Sequence, residues 1–266
     1  MSIKLFVTDL DGTLLPTGQD VSPKNVKAVQ DMVKAGVIFT IATGRMYSAS
    51  VNIAKNLGVD VPIITYNGAL IKSVSGKIFH TDYLSPEIVV AITNFCQKQN
   101  WHLQNYSNDV LYFPEHNEFA KGYEEALGIS GETIGWESML KHTENVPKLL
   151  SITPNVEETM QRISMLKSEF GDKINAIQSM PIYVEITCPK VSKAAAISIL
   201  AKQLNIDNSE IMVIGDSYND LPMLKSAGHS VAMGNAPDDV KSVCEFVTGN
   251  CNEDGFAQAV YEHVLI

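Results

Sequence analysis

The sequence predicts an α/β protein, a parallel sheet flanked by helices with an α+β segment inserted into it. Three observations carry that expectation. Apolar runs alternate with helical stretches as βαβαβ over residues 3–66, and the same rhythm resumes after Val191. Between them, residues 84–187 break the pattern and hold both tryptophans, Trp101 and Trp136. Alternation with short connections implies parallel strands joined by right-handed crossovers, with a ligand site outside their C-terminal ends. The flanking segments need each other to complete one sheet, so the expected organisation is a core of 1–83 and 188–266 with a domain of 84–187 inserted.

Taken in order, residues 3–7 form a short strand-forming run of the kind buried on both faces of a sheet. Ser22-Pro23 supplies an N-cap and an N1 proline. Val26, Val29, Met32 and Val33 fall on one face of the helix that follows, and Gly36 occupies its C′ position. Residues 37–42 make the next strand, a helical stretch runs to Leu57-Gly58, and 63–66 make the third strand. Asn67-Gly68 is a tight-turn pair opening a hairpin over 69–79, closed at Ser75-Gly76. In the middle segment helices start near Ser85-Pro86 and Val156, and strands are expected at 148–153 and 183–187. Beyond it, Ser192 caps a helix reaching Leu204. Strands follow at 211–214, 230–233 and 246–248, and helices at 219–227, after Ala236-Pro237, and from 254 to about 263.

At 266 residues the chain buries a large core without disulfides or structural metals. A composition of 45% hydrophobic and 19% charged residues excludes disordered, collagenous and coiled-coil classes. Thirty acidic against twenty basic residues give a formal charge of -10, a field that repels nucleic-acid phosphates, so no nucleic-acid partner is expected. Cys96, Cys188, Cys244 and Cys251 show no C-x-x-C pair and the histidines no H-x-x-x-H, so zinc spacing is missing and reduced cytoplasmic thiols are expected. No apolar segment approaches membrane-spanning length, and the one near the start is too short for a signal peptide, so no membrane partner is expected. The Asn105-Tyr106-Ser107 sequon therefore carries no weight.

The chemistry-bearing residues sit where strands end. Asp9-Leu10-Asp11-Gly12-Thr13 follows the first strand directly, and alternation along an extended chain puts Asp9 and Asp11 on one side, close together. Crowded carboxylates raise one pKa or demand a cation, and a hard one such as Mg²⁺ suits them. A single D-x-D-G is also an ordinary solvated turn. A second acidic cluster, Gly215-Asp216-Ser217-Tyr218-Asn219-Asp220, follows the strand at 211–214. A parallel sheet opens these ends on one edge, so Asp9, Asp11, Thr43 and Asp216 are expected to converge. Thr43 adds a hydroxyl and Gly44 an unobstructed amide, suited to a phosphoryl oxygen or, more plainly, to an N-cap.

As an ordered set, D-x-D-G-T, a strand-end Thr, a helix-start Lys and G-D-S-x-N-D resemble the haloacid dehalogenase (HAD) superfamily. Asn67-Gly68-Ala69, the mid-chain insertion and the tail from SVAMGNAPDDVKSVCEFVT to EDGFA resemble its Cof-type phosphatase branch, subclass IIB. The resemblance spans the chain, most strongly at both ends. It implies a Rossmann-like core with an α/β cap over the active site. It further implies that Asp9 is the nucleophile and Asp11 the general acid and base. Mg²⁺ would be held by Asp9, the Asp11 backbone carbonyl and Asp216, with Asn219 and Asp220 as supports. Thr43, Gly44, Arg45, Asn67 and Asn219 correspond to positions near the substrate. The family lysine precedes a glycine, whereas this chain reads Ser192-Lys193-Ala194, with Lys190 nearby. Lys193, opening a helix after its cap, is the expected cation on the transferring phosphoryl group, and Ala194 departs from the pattern.

His102, Tyr106, His116, Trp136 and Tyr183 are candidates for a specificity pocket, although aromatics in a small α+β domain are more often core. The expected function is a cytoplasmic Mg²⁺-dependent phosphatase, monomer or homodimer, hydrolysing a small phosphorylated metabolite such as a sugar phosphate through an aspartyl-phosphate. One alternative is a phosphomutase, which passes the phosphoryl group to another sugar hydroxyl. Another is a non-catalytic phosphoacceptor or metabolite-binding module, against which the length and the presence of both Asp9 and Asp11 argue.

Overall fold

The computed structural model describes residues 2–16 and 20–265. The chain forms two compact units, Met1–His80 with Ser192–Ile266, and Thr81–Val191. In chain order the strands are β1 (Leu5–Thr8), β2 (Ile38–Ala42), β3 (Pro62–Thr65), β4 (Leu70–Ser73), β5 (Ile78–Thr81), β6 (Gln104–Asn105), β7 (Tyr112–Phe113), β8 (Glu132–Thr133), β9 (Leu149–Ile152), β10 (Asn175–Met180), β11 (Tyr183–Thr187), β12 (Ile211–Gly215), β13 (His229–Ala232) and β14 (Phe246–Val247). The helices are α1 (Pro23–Lys34), α2 (Tyr47–Asn56), α3 (Pro86–Lys98), α4 (Glu118–Leu127), α5 (Trp136–Met139), α6 (Val156–Phe170), α7 (Lys193–Leu204), α8 (Leu221–Ser226), α9 (Asp238–Lys241) and α10 (Gly255–His263).

The sheet of the first unit runs β14-β13-β12-β1-β2-β3-β4-β5. Its first six strands are parallel and β4 turns back antiparallel on β3. Leu5 pairs with Ile211 on one side and Ile38 on the other, so segments about 200 residues apart share the centre of one sheet. Both faces are covered, which is why β1 is buried throughout. On one face Leu5, Val7, Ile211 and Val213 meet Ala196, Ile197 and Leu200 of α7 and Met223 of α8. On the other, Phe256 of α10 stands edge-on to Phe6 and Phe39, with centroids 5.8 and 6.4 Å away.

Capping fixes the helices as local chemistry dictates. Ser22 accepts from the Asn25 amide with Pro23 at N1, and Gly36 takes φ +86° just past the end of α1. The buried stripe of α1 differs from the apolar one expected: it is Asn25, Ala28, Val29 and Met32, while Val33 is exposed. Asn25 is buried because Nδ2 donates to the Leu14 carbonyl and Oδ1 accepts from the Ala257 amide. The second of these bonds ties α1 to α10. The single helix expected at 219–227 is a 3₁₀ turn, Tyr218–Asp220, followed by a six-residue α8. Asp220 closes a capping box with Ser217 and holds the first turn tight.

The second unit has its own six-stranded sheet, β10-β11-β9-β6-β7-β8. Its apolar face, with Leu149, Ala176, Val184 and Ile186, packs under Val89 and Ile92 of α3 and Ile163 and Leu166 of α6. His102 and Tyr106 are buried inside this unit, and the Tyr106 hydroxyl lies 2.8 Å from both Gln104 Oε1 and Tyr123 Oη. Among the described residues, no helix is long and apolar enough to cross a membrane.

Candidate active site

Parallel registry places Thr8 of β1 opposite Ile214 of β12, so the two strand ends are level. The Asp9 amide extends the ladder by donating to the Ile214 carbonyl at 2.9 Å. One carboxylate oxygen each of Asp9, Asp216 and Asp220 then lies within 4.8 Å of the others, the one acidic grouping of this kind among the described residues. Glycine makes the room. A Cβ on Gly12, whose φ is +81°, would stand 2.6 Å from Asp216 Oδ2, and one on Gly215 would stand 2.7 Å from the Asp220 carboxyl. The glycines of D-x-D-G and G-D-S leave space that carboxylates fill.

Lys193 is the first residue of α7, whose cap Ser192 accepts from the Ala195 amide. Its Nζ donates to Asp9 Oδ1 at 2.5 Å and to Asp220 Oδ1 at 2.6 Å, with all three side chains buried. An ammonium at a helix N-terminus opposes the helix dipole, so the two carboxylates are what hold it there. Lys190, the other candidate, is exposed and belongs to the second unit. Asp220 is fully engaged, because its Oδ2 accepts from the Asp216 and Ser217 amides at 3.0 Å each. Asn219 accepts from the Ser217 hydroxyl at 2.5 Å.

Three carboxylates around one ammonium leave surplus negative charge. Burial, and then the Asp220 charge, push the Asp9 carboxyl well above the carboxylate range against the pull of Lys193. Burial and Asp220 likewise raise Asp216 to about 6, opposed by the Thr13 hydrogen bond and Lys193. Burial works against the charge on Lys193, but Asp220 and Asp9 outweigh it and raise its pKa. Upward shifts on acids and base alike mark a site short of positive charge. The oxygen donors of Asp9 and Asp216 fit a hard divalent cation, which would supply that charge.

The chain turns at Leu10, whose carbonyl accepts from the Leu15 amide. The acids that weigh most on Asp9 are Asp220 and Asp216, and the Asp11 charge adds to the crowding at Asp216. The Asp11 carboxylate takes a bidentate pair from Arg45, Nε to Oδ2 at 2.8 Å and Nη2 to Oδ1 at 2.5 Å. Thr43 is buried, and its hydroxyl accepts from the Arg45 amide at 3.1 Å. Because α2 starts only at Tyr47, Thr43 shapes the loop and is not the helix N-cap. Asn67, in a left-handed turn at φ +56°, donates its amide to the Thr43 carbonyl at 3.0 Å, and Gly44 lies against its side chain.

Sequence reasoning passed over two neighbours of Asp216. The Thr13 hydroxyl donates to its Oδ1 at 2.8 Å, and Asn235 Nδ2 lies 3.5 Å from its Oδ2 while donating to the Gly12 carbonyl at 2.8 Å. The available signal was positional: Thr13 closes the first motif, and Asn235 follows the end of another parallel strand, β13.

Phosphatase YwpJ of Bacillus subtilis is 28% identical over 286 residues, covering 99% of this chain and all of that protein. The 5-amino-6-(5-phospho-D-ribitylamino)uracil phosphatase YwtE of the same organism is 30% identical over 280 residues, 96% of each. The crystal structure of TM0651 from Thermotoga maritima superposes with a TM-score of 0.87 at 31% identity, over 98% of this chain and 97% of that one. The family model for a haloacid dehalogenase-like hydrolase matches residues 6–260. This chain belongs to the haloacid dehalogenase-like hydrolase family.

Proposed function

We propose that the protein is a Mg²⁺-dependent phosphatase that hydrolyses a small phosphorylated metabolite through an aspartyl-phosphate on Asp9. The observation that carries this reading is the Lys193 ammonium bridging Asp9 and Asp220 beside Asp216. Gathering two buried acids and a half-buried one around one base costs stability, and such groupings are a feature of reacting sites.

An Asp9 oxygen attacks phosphorus, the bond to the leaving oxygen breaks, and Asp11 gives that oxygen its proton. Asp11 then takes a proton from water, whose oxygen attacks phosphorus and breaks the bond to Asp9, releasing inorganic phosphate and restoring both residues. Lys193 offsets the charge on Asp9 and the transferring group. Thr43, Gly44 and Arg45 orient phosphoryl oxygens, with Asn67 and Asn219 at the substrate's edge. Asp9, Asp216 and the Asp11 carbonyl would hold Mg²⁺, which would supply further positive charge to the transferring group. The second unit is proposed as the cap that selects among substrates.

The test is a phosphate-release screen in Mg²⁺ over sugar phosphates, nucleotides, cofactor phosphates and 5-amino-6-(5-phospho-D-ribitylamino)uracil, without any sugar bisphosphate. Release from at least one small monoester is expected. Turnover that appears only when a bisphosphate is added would replace hydrolysis with mutase chemistry.

A further inference from the structure

We propose that Thr13 is a positioning residue that sets Asp216 in place for the divalent cation, with Asn235 backing the other carboxylate oxygen. The proposal rests on the reading of this site as a Mg²⁺ site.

Asp216 sits in a seat built by two other strand ends. Gly12 turns the chain at φ +81° and leaves the gap that Asp216 occupies. The loop is closed by Gly12 N–H to the Leu15 carbonyl at 3.0 Å and Leu15 N–H to the Leu10 carbonyl at 2.8 Å. That closure carries Thr13, fully buried, under Oδ1 of Asp216 at 2.8 Å. From the far side, the Met233 amide extends the sheet onto the Gly215 carbonyl at 3.0 Å, and the Gly234 amide bonds Gly249 at 2.9 Å. The chain there delivers Asn235, whose Oδ1 accepts from the Cys251 amide at 2.9 Å. Since that contact requires the oxygen, the amide nitrogen is the end that faces Gly12 and Asp216.

Each Asp216 oxygen therefore faces a donor. A hydroxyl with one proton occupies one lone pair of Oδ1, and the rest of the carboxylate keeps its capacity to bind an ion. Orienting partners of this kind are typically worth 10–100-fold in metal affinity. Thr13 is the stronger of the two here, being buried and close, whereas Asn235 is exposed and longer in reach.

Titration calorimetry with Mg²⁺ alone, on wild type, Thr13→Val, Thr13→Ser and Asn235→Ala, tests this, with the melting temperature of each taken in chelator. Thr13→Val is expected to raise the Mg²⁺ Kd about 10-fold or more, with Thr13→Ser within about twofold of wild type and Asn235→Ala shifted the same way but less. The Mg²⁺ concentration giving half-maximal phosphate release should move in parallel. An unshifted Kd in Thr13→Val, or an equal shift in Thr13→Ser, overturns the proposal, the second outcome because packing and not the hydroxyl would then be responsible. Should Thr13→Val fail to fold, an unshifted Kd in Asn235→Ala together with a weakened Thr13→Ser does the same. A wild type that binds no Mg²⁺ is a different result, for it removes the metal reading itself.

Discussion

Gly68 packs against Ser192: its φ is +114°, and a Cβ built there would stand 2.8 Å from the Ser192 carbonyl carbon and 3.1 Å from the Ala196 methyl. Ser192 caps α7 and Lys193 begins it, so the turn after β3 bears directly on where the ammonium sits. Gly68→Ala is expected to cost about 3 kcal/mol, combining left-handed strain with overpacking, and to slow turnover at least tenfold. Gly36→Ala has the same backbone problem, at φ +86° with nothing within 4 Å. It should cost about 1 kcal/mol and leave turnover alone. Urea unfolding and phosphate release on both variants separate the two effects, and equal costs would show that the Ser192 contact is slack.

Asp9→Asn and Lys193→Met should part company in stability while both lose turnover. The first removes a buried acid from a group of three that repel one another and leaves Lys193 its Asp220 partner, so the fold should be as stable as wild type or slightly more. The second strands Asp9 and Asp220 without their cation, a change worth about 3–5 kcal/mol. Parallel thermal melts decide it. If Asp9→Asn melts as early as Lys193→Met, the Asp9–Lys193 pair serves the fold and not the chemistry.

Chelation should stop phosphate release without unfolding the chain, since the cores of both units are apolar and self-contained. Mg²⁺ added at about 100 times its Kd should stabilise the protein by about 2.7 kcal/mol. The same addition to Asp216→Asn should do far less. Undiminished turnover in chelator would contradict the metal assignment.

His102 lies within the second unit beside Phe113 and Phe119, and burial, with the Arg162 charge added, lowers its pKa from 6.5 to about 4. The unfolded chain takes up this proton near pH 6.5 and the folded one only near 4. Between those values the unfolded state binds more protons, so stability falls as pH drops through the window, by up to about 3 kcal/mol below it. His102→Phe removes that contribution. Denaturant unfolding at pH 7 and 4.5 should show wild type losing about 2–3 kcal/mol more than the variant, and equal losses would mean His102 does not carry the effect.

Asp9, Thr43 and Asp216 are legible in the chain because each directly follows an apolar run, and a parallel sheet opens such ends on one edge. Lys193 is pointed to by the family resemblance, and the Ser192 cap, a local signal, favours it over Lys190. The Asp11–Arg45 pair is not legible, because it joins two loops 34 positions apart and neither loop carries a local signal for the other. Within the second unit, β6, β7 and β8 have two residues each, too few for any period to register, and Asn175–Met180 mixes polar and apolar residues without alternation.

The order of apolar runs, caps and glycines determines by itself that this is an α/β chain with acids at strand ends, since those features act over a few residues. Which acid neighbours which is settled only by tertiary structure. The Thr13 hydroxyl meets Asp216 across 203 positions and Lys193 meets Asp9 across 184. Such contacts depend on strand register and on the space left by Gly12, Gly215 and Gly68, and three-dimensional packing alone sets both.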